Sequence, residues 1–175
     1  MRIFRLFTKL PLRGIIHLVS QQGNFTDYFK GFEKNCAVRG IFGKETEKVL
    51  KNLKVDFIWF GYMGVNDEDG HLMVNKLYLS SGSREDLYLD VIHELCHVKQ
   101  HKKGRELFDP HYDYVDRPTE IEAYRYAVQE AKRIGLSATE IFVYLKTEMM
   151  STNALARLIR NMGVDLEEPR LSNSK

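Results

Sequence analysis

His93, Glu94 and His97 are spaced as H-E-x-x-H, with Leu95 and Cys96 between them. On a helix the two histidines fall four residues apart on one face and can grip one Zn²⁺, while Glu94 stands beside the ion, where a water would bind. A carboxylate so placed can take a proton from that water. The pentad is therefore the ligand half of a zinc hydrolase. A catalytic zinc needs three protein ligands and one open position, so a third ligand must come from elsewhere in the chain.

Three sources compete. A metzincin would continue from His97 as H-x-x-G-x-x-H, but Gln100 and Lys103 occupy those positions, which excludes that class. His101 lies further along the same helix, yet three ligands on successive turns would span about 12 Å of axis and cannot converge at bonds of about 2 Å. His101 is thus expected to be a cation at the helix end. The remaining source is a second helix opening Arg117-Pro-Thr-Glu120-Ile-Glu122-Ala-Tyr-Arg125. Its two carboxylates are about 200° apart on the helical wheel, so only one can face the metal. Glu120 shares a face with Tyr124 and Ala127, Glu122 with Thr119 and Arg125, and helical arithmetic alone does not choose between them.

The elements that must hold these residues are readable from caps and periodicity. Ser83 is the expected N-cap of the motif helix, with Asp86 three residues on and apolar residues at Leu87, Val91, Leu95 and Val98. That helix should end at His101-Lys102-Lys103, with Gly104 just beyond, where positive charge and a left-handed glycine both belong. Pro118 suits the first position of the second helix, which runs to Arg133 and stops before Gly135. Ser137 to Glu140 forms another capping box, and short helices are expected over 138–148 and 152–162. Upstream, 43–52 reads as a helix. Val55 to Met63 reads as a buried strand, and Asn66 to Gly70 as a turn. His71 to Leu79 reads as a second strand completing a β-hairpin.

The pentad followed, after a loop, by a helix carrying E-x-E-A resembles the gluzincin metallopeptidases. The likeness is to the small ones in particular, to the catalytic domain of anthrax lethal factor, and to bacterial zinc proteases that cleave repressors. The resemblance covers roughly residues 55 to 130. It implies a zinc-dependent peptidase with His93, His97 and Glu122 on the metal, Glu94 as general base, and Glu120 left as a supporting or surface acid. The 24 residues between His97 and Glu122 exceed the thermolysin interval, which argues against close kinship with thermolysin. For the tetrahedral oxyanion the loop before the second helix offers His111, Tyr112 and Tyr114. The resemblance favours Tyr114, because related proteases place a tyrosine about that far before the glutamate. Such peptidases also bind extended substrate along an exposed sheet edge, here expected to be His71 to Leu79. The rival reading keeps the fold without turnover: a zinc-stabilised binding or regulatory module whose site is structural or occluded.

Composition frames the rest. With 175 residues, 43% hydrophobic and 11% aromatic, the chain is sized for one α+β domain with a real core, centred on about 44–134 and flanked by 1–43 and 136–163. The expected architecture is a small zincin-like domain. A hairpin or small antiparallel sheet packs on the active-site helix and the ligand helix, with a helical C-terminal part. Two cysteines sixty residues apart, one inside the metal motif, make a disulfide framework improbable and point to a reducing, cytoplasmic setting. A net charge of +2 and the helix-terminating role of the 101–103 basic run give no reason to expect nucleic acid. Arg2, Arg5, Lys9 and Arg13, with no acid before Asp27, read as an ordered basic face, with contact to an anionic membrane surface as the alternative. The expected partner is a peptide or protein substrate.

Overall fold

The computed structural model describes residues 21–59, 61–146 and 150–164. Most of the basic N-terminal face, and the polar tail from residue 165, lie outside them. Within the described residues the fold is mixed α+β: a four-stranded sheet against which a set of helices packs.

The sheet order is β1 (Gln21–Asn24), β2 (Lys54–Ile58), β4 (Leu72–Asn75), β3 (Met63–Val65). The expected small antiparallel sheet is corrected here, because β2 and β4 run parallel while β1–β2 and β3–β4 are antiparallel. The apolar run 55–63 is two strands. The chain leaves β2, turns through Gly61 at φ 83°, and re-enters as β3 on the far side of β4, so the hairpin is β3–β4 across the Asn66–Gly70 turn. A positive φ of that size is open to glycine at little cost, which is why the run breaks there.

The expected strand 71–79 also ends early. Asn75 accepts hydrogen bonds at Oδ1 from the backbone of Leu77 (2.7 Å) and Tyr78 (3.0 Å), capping a short helix α4 (Lys76–Ser81). Its Nδ2 donates to the carbonyls of Trp59 (3.2 Å) and Gly61 (2.7 Å). One side chain therefore both starts α4 and pins the crossing between β2 and β3. β4 lies inside the sheet, so it is not an edge available to a substrate strand; among the described residues the edges are β1 and β3.

Residues before 44 contribute directly. β1 pairs with β2, and a single turn α1 (Phe25–Tyr28) and α2 (Cys36–Phe42) bury Phe25, Val38 and Ile41 beside α3 (Thr46–Asn52). The motif helix α5 (Arg84–Lys102) starts where expected, with Ser83 Oγ accepting from Asp86 N at 3.0 Å, and Gly104 follows it at φ 69°. Helix α6 (Pro118–Arg133) begins on its proline. Two further helices follow, α7 (Ala138–Leu145), with a complete Ser137–Glu140 capping box, and α8 (Thr152–Met162).

Two apolar cores result. The first joins the sheet to α2, α3 and the Val91, Ile92, Leu95, Cys96, Val98 side of α5. The second joins Leu89 of α5 to Tyr124, Ala127, Val128 and Ala131 of α6 and to α7 and α8. Helices α5 and α6 serve both cores, and the histidines lie along their shared seam. No helix among the described residues is long and apolar enough to cross a membrane.

Candidate metal centre

On α5 the 3.6-residue repeat stacks His93 over His97, with ring centroids 4.7 Å apart and Nε2 atoms 3.0 Å apart. From α6, Glu120 reaches both: Oε2 lies 3.3 Å from His93 Nε2 and Oε1 lies 3.5 Å from His97 Nε2. The three ligand atoms fall within 4.8 Å of one another, and all three residues are buried, so His93, His97 and Glu120 could hold a metal ion. The donor set fits one. It brings two imidazole nitrogens and a carboxylate together, and apart from the His93 imidazole the buried Oε2 of Glu120 meets no polar partner.

The expectation that Glu122 completes the set is corrected. Glu122 faces away from the imidazoles and is held by Lys99 Nζ (2.8 Å), Gln100 Nε2 (3.0 Å) and Arg105 Nη1. Partial burial works against its charge, but these three donors hold its pKa down at about 2. The deciding signal lay in the stripe of α6. Glu120 shares its face with Ala123, Tyr124 and Ala127, all buried, whereas Glu122 shares its own with Arg125 and the half-buried Tyr126. The acid that belongs to the apolar stripe is the one the core presents to α5.

Within the cluster, burial and neighbouring charge act in opposite directions. Burial opposes charge on His97, but Glu120, with help from Glu94, overrides it and raises its pKa to about 9. Burial likewise opposes charge on Glu120, and the two histidines reverse this and push its carboxyl well below the ordinary range.

Glu94, the expected base, is buried and lines one small cavity with His97 and Glu120. Val65 of β3 and Leu107 and Phe108 of the following loop close the cavity, whose volume is about 10 Å³. That is room for roughly one water molecule. The loop is tied down by Thr119 Oγ1 donating to Leu107 O (3.2 Å) and by the Arg105–Glu122 pair.

Of the three oxyanion candidates, Tyr114 alone is drawn toward the centre. Its hydroxyl is 2.9 Å from that of Tyr124, and the fully buried Tyr124 ring packs 4.4 Å from His93. His111 is exposed and turned onto Asp109, and Tyr112 is exposed. Tyr124 lies outside the pentad and the E-x-E-A pattern, and its place four residues after Glu120 on the apolar stripe is the sign in the sequence that it faces the cluster. His101 stands at the helix end, where Nε2 meets the Asp67 carbonyl at 3.2 Å and fastens α5 to the hairpin turn. Cys96 is buried, its thiol pushed up by burial, and Cys36 is exposed; neither is paired with the other. Comparison with protein-family models, with curated proteins and with solved structures finds no match to this chain.

Proposed function

We propose that the protein is a zinc-dependent peptide-bond hydrolase of gluzincin type with a zincin-like fold, its metal held by His93, His97 and Glu120. The observation that carries this reading is the opening of Glu94 into the same one-water cavity as His97 and Glu120. A purely structural metal has no need of a carboxylate base at that spot. When bound, zinc supplies Lewis acidity, easing ionisation of water near neutral pH and polarising a carbonyl. Glu94 takes the proton of the attacking water and returns it to the leaving amine. Tyr114 stands as donor to the developing oxyanion, one hydrogen bond from the tyrosine that lies on His93. An extended peptide would add along β3, the edge strand whose Val65 borders the cavity, in place of the interior β4.

The small, roofed cavity favours a second reading: a zinc-stabilised binding or regulatory module that does not turn over. One comparison separates the two. Zinc-loaded protein and its Glu94→Gln variant are incubated with a denatured protein mixture. The hydrolase reading expects both to retain zinc and the variant to lose at least ~100-fold in cleavage rate. Equal digestion by the two, or none by either while zinc is bound, removes the hydrolase.

A further inference from the structure

We infer that Gln100 is a positioning residue that dictates which nitrogen of His97 is left bare toward the metal cluster, and that Glu122 locks Gln100 into the orientation this requires. The inference rests on reading His93, His97 and Glu120 as the metal-holding set.

Gln100 is fully buried, so each of its polar atoms must find a partner inside the protein. Its amide stands between a histidine and two acceptors. On one side the Thr119 carbonyl lies 3.0 Å from Nε2 and the Glu122 carboxylate also 3.0 Å, with Cys96 Sγ at 3.5 Å. A carbonyl only accepts, and the Glu122 carboxyl already takes Lys99 and Arg105 as donors, so the NH₂ group must face them. Turning the amide over would set its oxygen against two acceptors and forfeit the bonds to Thr119 and Glu122.

The oxygen is therefore committed to the other side, where it lies 2.7 Å from His97 Nδ1. An amide oxygen only accepts, so Nδ1 carries the hydrogen. With Nδ1–H committed to Gln100, the nitrogen of His97 left to give its lone pair to a metal is Nε2, the atom that faces Glu120 and His93. Donor and acceptor roles are thus forced in sequence from Glu122, through Gln100, to His97. Lys99 and Arg105 complete the chain by bonding Glu122 and fixing its carboxylate against the Gln100 amide.

The test is a titration of metal-free protein with zinc alone, read by competition with a chromogenic chelator, beside the thermal midpoint of each metal-free variant. Gln100→Met keeps the volume and removes the amide; it is expected to bind one zinc about 10- to 100-fold more weakly than wild type. Glu122→Ala, at a partly exposed position, is expected to weaken binding by up to about tenfold, because the amide loses its charged anchor. The double variant is expected to bind no more weakly than Gln100→Met alone, since Glu122 acts through Gln100. If Gln100→Met does not fold, Glu122→Ala decides by itself. Wild-type affinity in both single variants, even with lowered midpoints, overturns the positioning role while leaving the metal reading intact. Failure of wild type itself to bind zinc overturns both.

Discussion

At the scale of single residues, the pentad announced His93, Glu94 and His97, but the choice between Glu120 and Glu122 turned on which acid belongs to the apolar stripe of α6, which the E-x-E-A pattern by itself does not encode. The two acids sit in the same local pattern, and what separates them is that α6 offers Glu120 to a buried seam and Glu122 to Lys99 and Arg105. The same burial sets a pH dependence. His97 in the metal-free protein has its pKa raised to about 9, so below that pH an incoming ion must displace a proton. Apparent zinc affinity should climb about tenfold per pH unit toward about pH 9 and then level off. Without metal the sign for folding is the reverse. The stabilisation from a raised histidine is fully present below the ordinary value of 6.5 and is lost as pH rises through about 9. Zinc titrations at a series of pH values check the first statement, and affinity that stays flat from about pH 7 to 9 contradicts it.

At the scale of elements, what could be read in advance follows the physics of each signal. Helix ends were legible because caps are local: Ser83, Pro118, Ser137 and the glycine after α5 act within a few residues of themselves. Strand pairing was not, because an apolar run carries no record of which neighbour it will meet. The run 55–63 crosses over β4 at Gly61, and Leu77 and Leu79 continue an alternation that Asn75 has already converted to helix, leaving both exposed. Asn75 thus holds the crossing and the cap together. Asn75→Ala removes a helix cap and strips two carbonyls of their donor, for an expected loss of about 2–4 kcal/mol. Ser83→Ala, which loses a cap alone, should cost about 1 kcal/mol. Urea denaturation of the two variants measures the difference, and an Asn75 cost no larger than that of Ser83 would show that the crossing does not depend on this side chain.

Across the whole molecule, the candidate metal cluster lies where the two cores meet. Residues of α5 face the sheet on one side and α6 to α8 on the other, and Glu120 is the α6 group that meets the α5 histidines. An ion held there would bridge the two helices on which both cores are built, so its removal should loosen the protein as a unit. Binding that favours the folded state contributes RT ln(1 + [L]/Kd), about 2.7 kcal/mol at a hundredfold excess over Kd. For a chain of this size that corresponds to a rise of roughly 5–10 °C in the thermal midpoint. Wild type loaded with zinc should therefore melt in one transition at the higher temperature, and a chelator should return it to the metal-free midpoint. Glu120→Ala should show no zinc-dependent shift, whereas Glu94→Gln, which leaves all three ligands in place, should keep it. A shift of the same size in wild type and Glu120→Ala would mean that zinc acts somewhere other than this seam, and the site would have to be sought again.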